Sequence, residues 1–522
     1  MHYLLHHSIL IQAERQPDAD AFRCGAQSIT YGQLAQRMQQ LACVLQEGGL
    51  QRGDRVGIFM SRRLETAIAI YGILAAGAIY VPINPSLPAA QVDFLLQDCG
   101  IRQLITHPSQ QRKIEKIEAR HANIVQFVGI SLADSSRAAL TWEEVAQYPA
   151  RLPAWRVLEQ DLAYILYTSG STGKPKGVMH THYSGLAYAR LTAAVYALRP
   201  DDILGNYAPI FFDISTLGYF TAPLVGATTV LATDGHVMLP ASLVQLIATE
   251  RMTVWYSVPL ALVQMLQSGV LETADWSALR WVLYGGEPFP IKHLRRLMQH
   301  LPHCRFSNVY GPTETNQCTY YHLPEPPPAE AAAIPIGQVW DNTEILIFNA
   351  EDQPVASGET GELLVRSATM MRGYWNNPAR TDQSFYAHTY TDGITETYYR
   401  TGDLFSQDHE GLLWLQGRKD RQVKIRGFRL ELDEVEAALL QYPQVAEAAA
   451  WVATKNDTEK DIYAAVRGVE EQDLVDIDCF LRTKLPAYAI PQKLHILPEF
   501  PRTPTGKIDR RALQQWHAQI SA

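Results

Sequence analysis

Apolar residues fall in short runs along this chain, and the spacing between runs gives the first structural expectation. Residues 56–60 are apolar, residues 65–74 carry helical spacing, and residues 78–83 form a second apolar run. The stretch 54–83 therefore predicts strand, helix, strand. Comparable runs recur at 101–105, 162–167, 228–231, 254–257 and 281–283, most of them followed by turn residues and a helical stretch. Strands that alternate with helices predict an α/β fold, with parallel-rich sheets covered by helices.

The pattern changes after a proline-rich segment at 325–333, which reads as a surface loop. Residues 344–348, 361–365 and 412–416 are short apolar runs divided by glycine and aspartate turns, and they predict a β-subdomain. The polar, charged stretch 417–422 then separates apolar runs as a linker does. Beyond it come strands at 423–425, 448–452 and 462–466 and helices at about 433–440 and 474–485. The expected organisation is a large N-terminal domain, residues 1–418, and a small α+β C-terminal domain, residues 419–522. No internal repeat is present.

Composition narrows the classes. The 522 residues exceed one ordinary domain, and 47% hydrophobic against 19% charged residues marks a globular chain. A formal net charge of -9 argues against a broad nucleic-acid footprint and leaves room for a small basic site for a phosphate-bearing ligand. The six cysteines are scattered with no C-x-x-C pair, which argues against a zinc ribbon or redox motif and favours reduced thiols in a cytoplasmic protein. The N-terminus lacks the basic and apolar regions of a signal peptide. The longest apolar stretch, 67–83, is broken by Gly72, Gly77 and Pro82, so no membrane span is expected.

The most informative segment is Tyr167-Thr168-Ser169-Gly170-Ser171-Thr172-Gly173-Lys174-Pro175-Lys176-Gly177-Val178, which follows an apolar strand. Glycines let backbone N–H groups approach a phosphate chain, hydroxyls add donors, and lysines such as Lys176 neutralise charge. It is not a P-loop: Gly170 and Gly173 enclose two residues rather than four, and Pro175 follows Lys174. An ordinary flexible Gly/Ser loop is the plain alternative. The unbroken segment instead resembles the adenylate-forming superfamily, which includes acyl-CoA synthetases, luciferases and the adenylation domains of nonribosomal peptide synthetases. The resemblance covers nearly the whole chain, with motifs from residue 167 to residue 507. It implies a large N-terminal domain, a small mobile C-terminal domain, and activation of a carboxylic acid by MgATP as its acyl-adenylate.

Further motifs carry that likeness residue by residue. Asn308-Val309-Tyr310-Gly311-Pro312-Thr313-Glu314 resembles the family's aromatic-Gly-x-Thr-Glu loop. The likeness implies Asn308 and Tyr310 at the adenine, Gly311 in the loop, Thr313 at the α-phosphate and Glu314 at the Mg²⁺, with Gly285 also lying against the base. Taken alone, Gly-Pro-Thr-Glu is also a turn before a helix start. Thr401-Gly402-Asp403 resembles the family motif whose aspartate accepts hydrogen bonds from both ribose hydroxyls, and Arg418 would lie near the ribose and phosphate. Asp420 matches the hinge position. One departure stands at Leu415, where many relatives place an aromatic residue near the nucleotide. The stretch 501–507 matches the family's Pro-x-Thr-x-x-Gly-Lys loop, and Lys507 would bridge substrate carboxylate and α-phosphate, offsetting the repulsion of two anions.

Phe212-Asp213-Ile214-Ser215 resembles the Phe-Asp-x-Ser motif of amino-acid-activating members, in which Asp213 pairs with the substrate ammonium. A helix N-cap is the plain alternative for that aspartate. The pocket positions carried over are Ile214, Leu217, Tyr256, Val282, Tyr284, Val309, Gln317 and Cys318, a small and mostly apolar set. Its start resembles that of free-standing prolyl adenylation enzymes, while Tyr284 and Gln317 depart from it. L-Proline is thus the expected substrate. No Gly-Gly-x-Ser site for phosphopantetheine follows residue 507, so the expected thiol comes in trans, from a separate carrier protein or from coenzyme A, and the amino-acid reading favours the carrier protein. An acyl- or aryl-CoA ligase and a catalytically silent nucleotide-binding or carrier-binding module are the competing readings. Asp213 argues against the first, and the joint presence of Lys176, Glu314, Asp403 and Lys507 against the second.

Overall fold

The computed structural model describes residues 2–132, 135–170, 174–454, 459–503 and 508–521. The chain divides into two compact units. One comprises Met1–Pro85, Leu95–Leu166 and Gly177–Lys419, and the other Ser86–Phe94, Tyr167–Lys176 and Asp420–Ala522.

The expected strand, helix, strand is present as Arg55–Phe59, Leu64–Ala75 and Ile79–Pro82. The helix is buried from Thr66 through Ala75, consistent with its unbroken apolar sequence. Gly72 explains how it packs: a Cβ there would meet Leu41 Cδ2 at 2.5 Å, so glycine permits close approach of the neighbouring helix Tyr31–Glu47. That second helix starts at Thr30, whose side chain forms a capping box with Gln33. Both helices share one core with Phe22, Tyr80 and Tyr164.

The strands Arg55–Phe59 and Ile79–Pro82 belong to an eight-stranded sheet, in which each is parallel to its neighbours. A second sheet has nine strands. Its centre is parallel: Thr228–Leu231, Ile203–Asn206, Val254–Ser257, Trp281–Gly285 and Arg305–Tyr310 lie side by side in that order. The carboxyl ends of the last four therefore share one edge, the place where open α/β sheets hold ligands.

Both faces of this sheet are covered. Register pairs Tyr256 with Leu283 and Gly285 with Val309, and these positions share a face with Ile214 and Leu217. The alternate positions Trp255, Val282, Tyr284 and Phe306 pack on the other face with Leu262, Phe289 and Leu294.

The β-subdomain is a five-stranded antiparallel sheet built on Thr343–Phe348, Gly361–Ser367, Thr395–Gln407, Phe385–Thr389 and Leu413–Arg418. The proline-rich segment 325–333 is a loop, as expected.

In the second unit, Gln422–Ile425 and Phe428–Glu431 form a hairpin whose turn residues Arg426 and Gly427 have φ of +54° and +83°. Two positive φ values suit a tight hairpin turn. A three-stranded sheet of Glu447–Thr454, Lys460–Arg467 and Lys493–Ile496 packs with the helices Leu432–Leu439 and Leu474–Lys484. Among the described residues no helix is long and apolar enough to cross a membrane.

Candidate active site

The residues 311–318 connect the parallel strand Arg305–Tyr310 to the antiparallel strand Thr319–Leu323. The motif is thus a tight return between strands, not the start of a helix. Glycine is needed at 311, because a Cβ there would lie 2.3 Å from the Asn316 carbonyl oxygen. Thr313 Oγ1 donates to Asp213 Oδ2 at 2.7 Å. Glu314 is fully buried and accepts from the Tyr374 hydroxyl at 2.8 Å. His180 Nε2 lies 2.9 Å from the Thr313 carbonyl oxygen, and burial pulls this imidazole down to about 4. The neutral ring therefore donates to that carbonyl and holds the turn from behind.

Asp213 opens a short 3₁₀ turn, Asp213–Ser215, and Phe212 takes the N-cap position. Its carboxylate bonds to the Ile214 amide at 2.8 Å and to Thr313, rather than capping a helix through the amides two or three residues on. Beside it, Ile214, Leu217, Tyr256 and Val309 come together in one apolar cluster. The Gln317 amide reaches the same place, with Nε2 donating to Tyr256 Oη at 2.7 Å.

Three of the expected pocket residues are elsewhere. Val282 and Tyr284 face the opposite side of the sheet, where Tyr284 packs edge-on against Phe289 at 5.0 Å. Successive strand residues point to opposite faces, so an assignment displaced by one position puts both side chains on the wrong side. The positions that face Tyr256 and Val309 are Leu283 and Gly285. Cys318 packs with Leu363, Val365 and Phe405 of the β-subdomain, and burial pushes its thiol up to about 12.

A polar group of residues gathers around Asp403, which sits inside the strand Thr395–Gln407 opposite Arg418. One carboxylate oxygen accepts from the Tyr310 hydroxyl at 2.6 Å and the other from the Arg418 guanidinium. A carboxylate offers about four lone-pair sites, so two remain in principle for further donors. Burial and the neighbouring Asp403 charge raise the Tyr310 phenol well above its usual value, which keeps it a neutral donor. Asn308 is buried and donates to the Pro335 carbonyl at 2.9 Å. At Gly285 a Cβ would lie 2.3 Å from the Val309 carbonyl oxygen, so this strand end admits only glycine. Leu415 is 37% exposed.

In the second unit, Thr168 Oγ1 is buried without a hydrogen-bond partner among the described residues, whereas the Ser169 hydroxyl donates to the Arg429 carbonyl at 3.0 Å. A Cβ at Gly170 would lie 2.2 Å from the Lys174 carbonyl oxygen, which requires glycine at position 170. Lys176 is buried at the start of the strand Lys176–Thr181. The Asp420 carboxylate accepts from the Gln422 amide at 3.2 Å. Ser171, Thr172, Gly173 and Lys507 lie outside the described residues.

The family described as AMP-binding enzyme matches residues 10–375, and its C-terminal domain family matches residues 434–507. The chain belongs to the AMP-binding enzymes. It is an adenylate-forming ligase, as the motifs from Tyr167 onward imply. It is similar to an L-proline–[L-prolyl-carrier protein] ligase of Pseudomonas fluorescens, with 32% identity over 98% of each chain. It is also 34% identical to tyrocidine synthase 3 of Brevibacillus parabrevis, covering 96% of this chain and 7% of that much longer protein. Among solved structures, an artificially fused adenylation–PCP di-domain NRPS from Klebsiella oxytoca superposes with a TM-score of 0.79 at 26% identity, over 94% of this chain and 93% of the other.

In this AMP-binding enzyme, sequence reasoning missed Leu283, whose signal was the parity that ties it to Gly285. It also missed the role of Tyr374 as the hydrogen-bond partner of Glu314, although the stretch 371–375 that holds it is shared broadly by such ligases.

Proposed function

We propose that this AMP-binding enzyme activates a compact amino acid, with L-proline the first candidate, as its aminoacyl-adenylate and passes it to the phosphopantetheine thiol of a separate carrier protein. The observation that carries the reading is the hydrogen bond between Thr313 and Asp213. It joins the turn assigned to the α-phosphate to the carboxylate assigned to the substrate ammonium, so both ends of an aminoacyl-adenylate find partners at one strand edge. A half-buried carboxylate there suits a cationic substrate, which a fatty or aryl acid is not. The likeness to a prolyl-carrier protein ligase supports the amino acid, the carrier and proline.

In the first step a substrate carboxylate oxygen bonds to the α-phosphorus of ATP as the bond to the pyrophosphate oxygen breaks. Thr168, Ser169, Gly170, Ser171, Thr172, Gly173 and Lys176 would cradle the phosphates. Asn308, Tyr310, Gly311 and Gly285 would hold the adenine, Asp403 and Arg418 the ribose, and Lys507 would neutralise the meeting anions. In the second step the carrier thiolate attacks the acyl carbon and AMP leaves, after rotation of residues 419–522 about Asp420.

The residues fit Mg²⁺ bound with the triphosphate. Glu314, whose buried carboxylate accepts from the Tyr374 hydroxyl, would supply one carboxylate. Such an ion takes one or two protein carboxylates and completes its shell with phosphate oxygens and water. It would supply charge neutralisation at the phosphates. No disulfide joins the six cysteines, which accords with action in the reducing cytoplasm.

The test is intact-protein mass spectrometry of a phosphopantetheinylated carrier protein incubated with the enzyme, MgATP and amino acids. A mass gain of one aminoacyl group on the carrier is expected. Formation of a coenzyme A thioester with no loading of any carrier would refute the proposal.

A further inference from the structure

The Gln317–Tyr256 pair carries an inference about which amino acid the pocket selects, resting on the amino-acid reading above and narrowing it. Both side chains are 4% exposed. Gln317 Nε2 donates to Tyr256 Oη, while Gln317 Oε1 is buried with no hydrogen-bond partner among the described residues. The phenol oxygen stands at the strand edge where the adenylate would form, since a Cβ built on Gly285 would lie 3.4 Å from it. Around the pair, Ile214, Leu217, Leu283 and Val309 are aliphatic and cannot bond to the amide.

A buried amide oxygen left unmatched is costly, so a ligand that bonds to it gains over one that leaves it unmatched. Rotating the amide by half a turn does not remove the problem. Tyr256 would then donate to Oε1, and Nε2 would be the unmatched atom. A hydroxyl is the smallest side-chain group that answers both arrangements, because it donates and accepts from a single atom. A purely aliphatic ring would leave the amide unmatched in either.

We propose that this pocket selects a compact amino acid whose side chain carries a hydroxyl, which bonds to the Gln317 amide beside Tyr256. A ring-hydroxylated proline is then preferred to proline. Sites built to bond a hydroxyl discriminate strongly against the analogue that lacks it, whereas an apolar pocket rejects a hydroxyl only weakly.

The test compares kcat/KM for pyrophosphate exchange in two matched pairs, 4-hydroxyproline against proline and threonine against valine. In whichever pair the enzyme turns over, the hydroxylated member is expected to lead by about tenfold or more. Gln317→Leu is expected to bring that ratio to one or below while the melting temperature holds or rises. Tyr256→Phe, which keeps the packing and removes the phenol, is expected to lower the ratio in the same direction. Equal or better use of the member without the hydroxyl, or ratios unmoved by both variants, would overturn the inference and leave amino-acid activation standing. No exchange with any amino acid would overturn both.

Discussion

Thr313 Oγ1 donates to Asp213 Oδ2 across 2.7 Å, linking residues one hundred positions apart at the carboxyl edge of the parallel sheet. The bond fixes the carboxylate against the turn that carries Glu314. If Asp213 pairs with the substrate ammonium, Asp213→Asn removes the charge and keeps the shape. The expected loss in kcat/KM for amino acids is about 30- to 5000-fold, the range for breaking a desolvated charge pair. ATP binding measured by calorimetry is expected to change little. An equal loss in ATP affinity would assign Asp213 to the nucleotide instead.

Leu283 and Tyr284 are adjacent and face opposite sides of the sheet, so their variants should separate. Leu283→Ala is expected to change the ranking of amino acids in exchange assays and to cost about 2–5 kcal/mol of stability. Tyr284→Phe removes a hydroxyl that is buried without a partner among the described residues. Its expected effect is an unchanged ranking and equal or slightly higher stability. A specificity change in the second variant would mean that the register does not govern the pocket.

That pair also shows how far the sequence was legible. The segments 54–83 and 254–257 were legible because their apolar runs are bounded by turn residues. The stretch Trp281–Gly285 is buried at every position. A strand buried on both faces has no polar alternation to mark which residues point toward a ligand, so the parity of Val282 and Tyr284 rests on their spacing from Gly285 and on the register against Arg305–Tyr310. The strand Thr395–Gln407 escaped for the opposite reason. Its sequence mixes polar and aromatic residues, its burial alternates irregularly, and a register shift falls between Leu404 and Phe405. The motif residues Glu314 and Asp403 were legible by likeness, but their partners Tyr374 and Tyr310 depend on tertiary placement.

Lys507 is assigned to the adenylation step alone. Lys507→Ala is expected to slow aminoacyl-adenylate formation by about 100-fold or more, as loss of a fixed charge at a developing anion does. Transfer from a supplied aminoacyl-adenylate to the carrier thiol is expected to fall far less. Single-turnover measurement of each half-reaction checks this, and equal losses would contradict the assignment.

Glu434 gives a pH dependence to the second unit. Burial, and then the nearby Glu431 charge, raise its carboxyl from 4.5 to about 7. The folded state therefore holds a proton that the unfolded state releases between those values. Stability from this group is full below about 4.5 and is lost as pH rises through 7, by at most about 3 kcal/mol. Glu434→Gln is expected to raise the melting temperature at pH 8 and to change it little at pH 4.5. A larger gain at the acid end would reverse the sign and refute the account.

The central claim is that the chain joins an amino acid to AMP at the strand edge marked by Asp213, Thr313 and Glu314. Mass spectrometry of the small molecules formed from MgATP and single amino acids tests it most directly. The account predicts an aminoacyl-adenylate and pyrophosphate with a compact amino acid, formed at least about 30-fold more slowly by Asp213→Asn at the same subsaturating substrate concentration. Adenylates of fatty or aryl acids alone, with no amino acid activated, would contradict it.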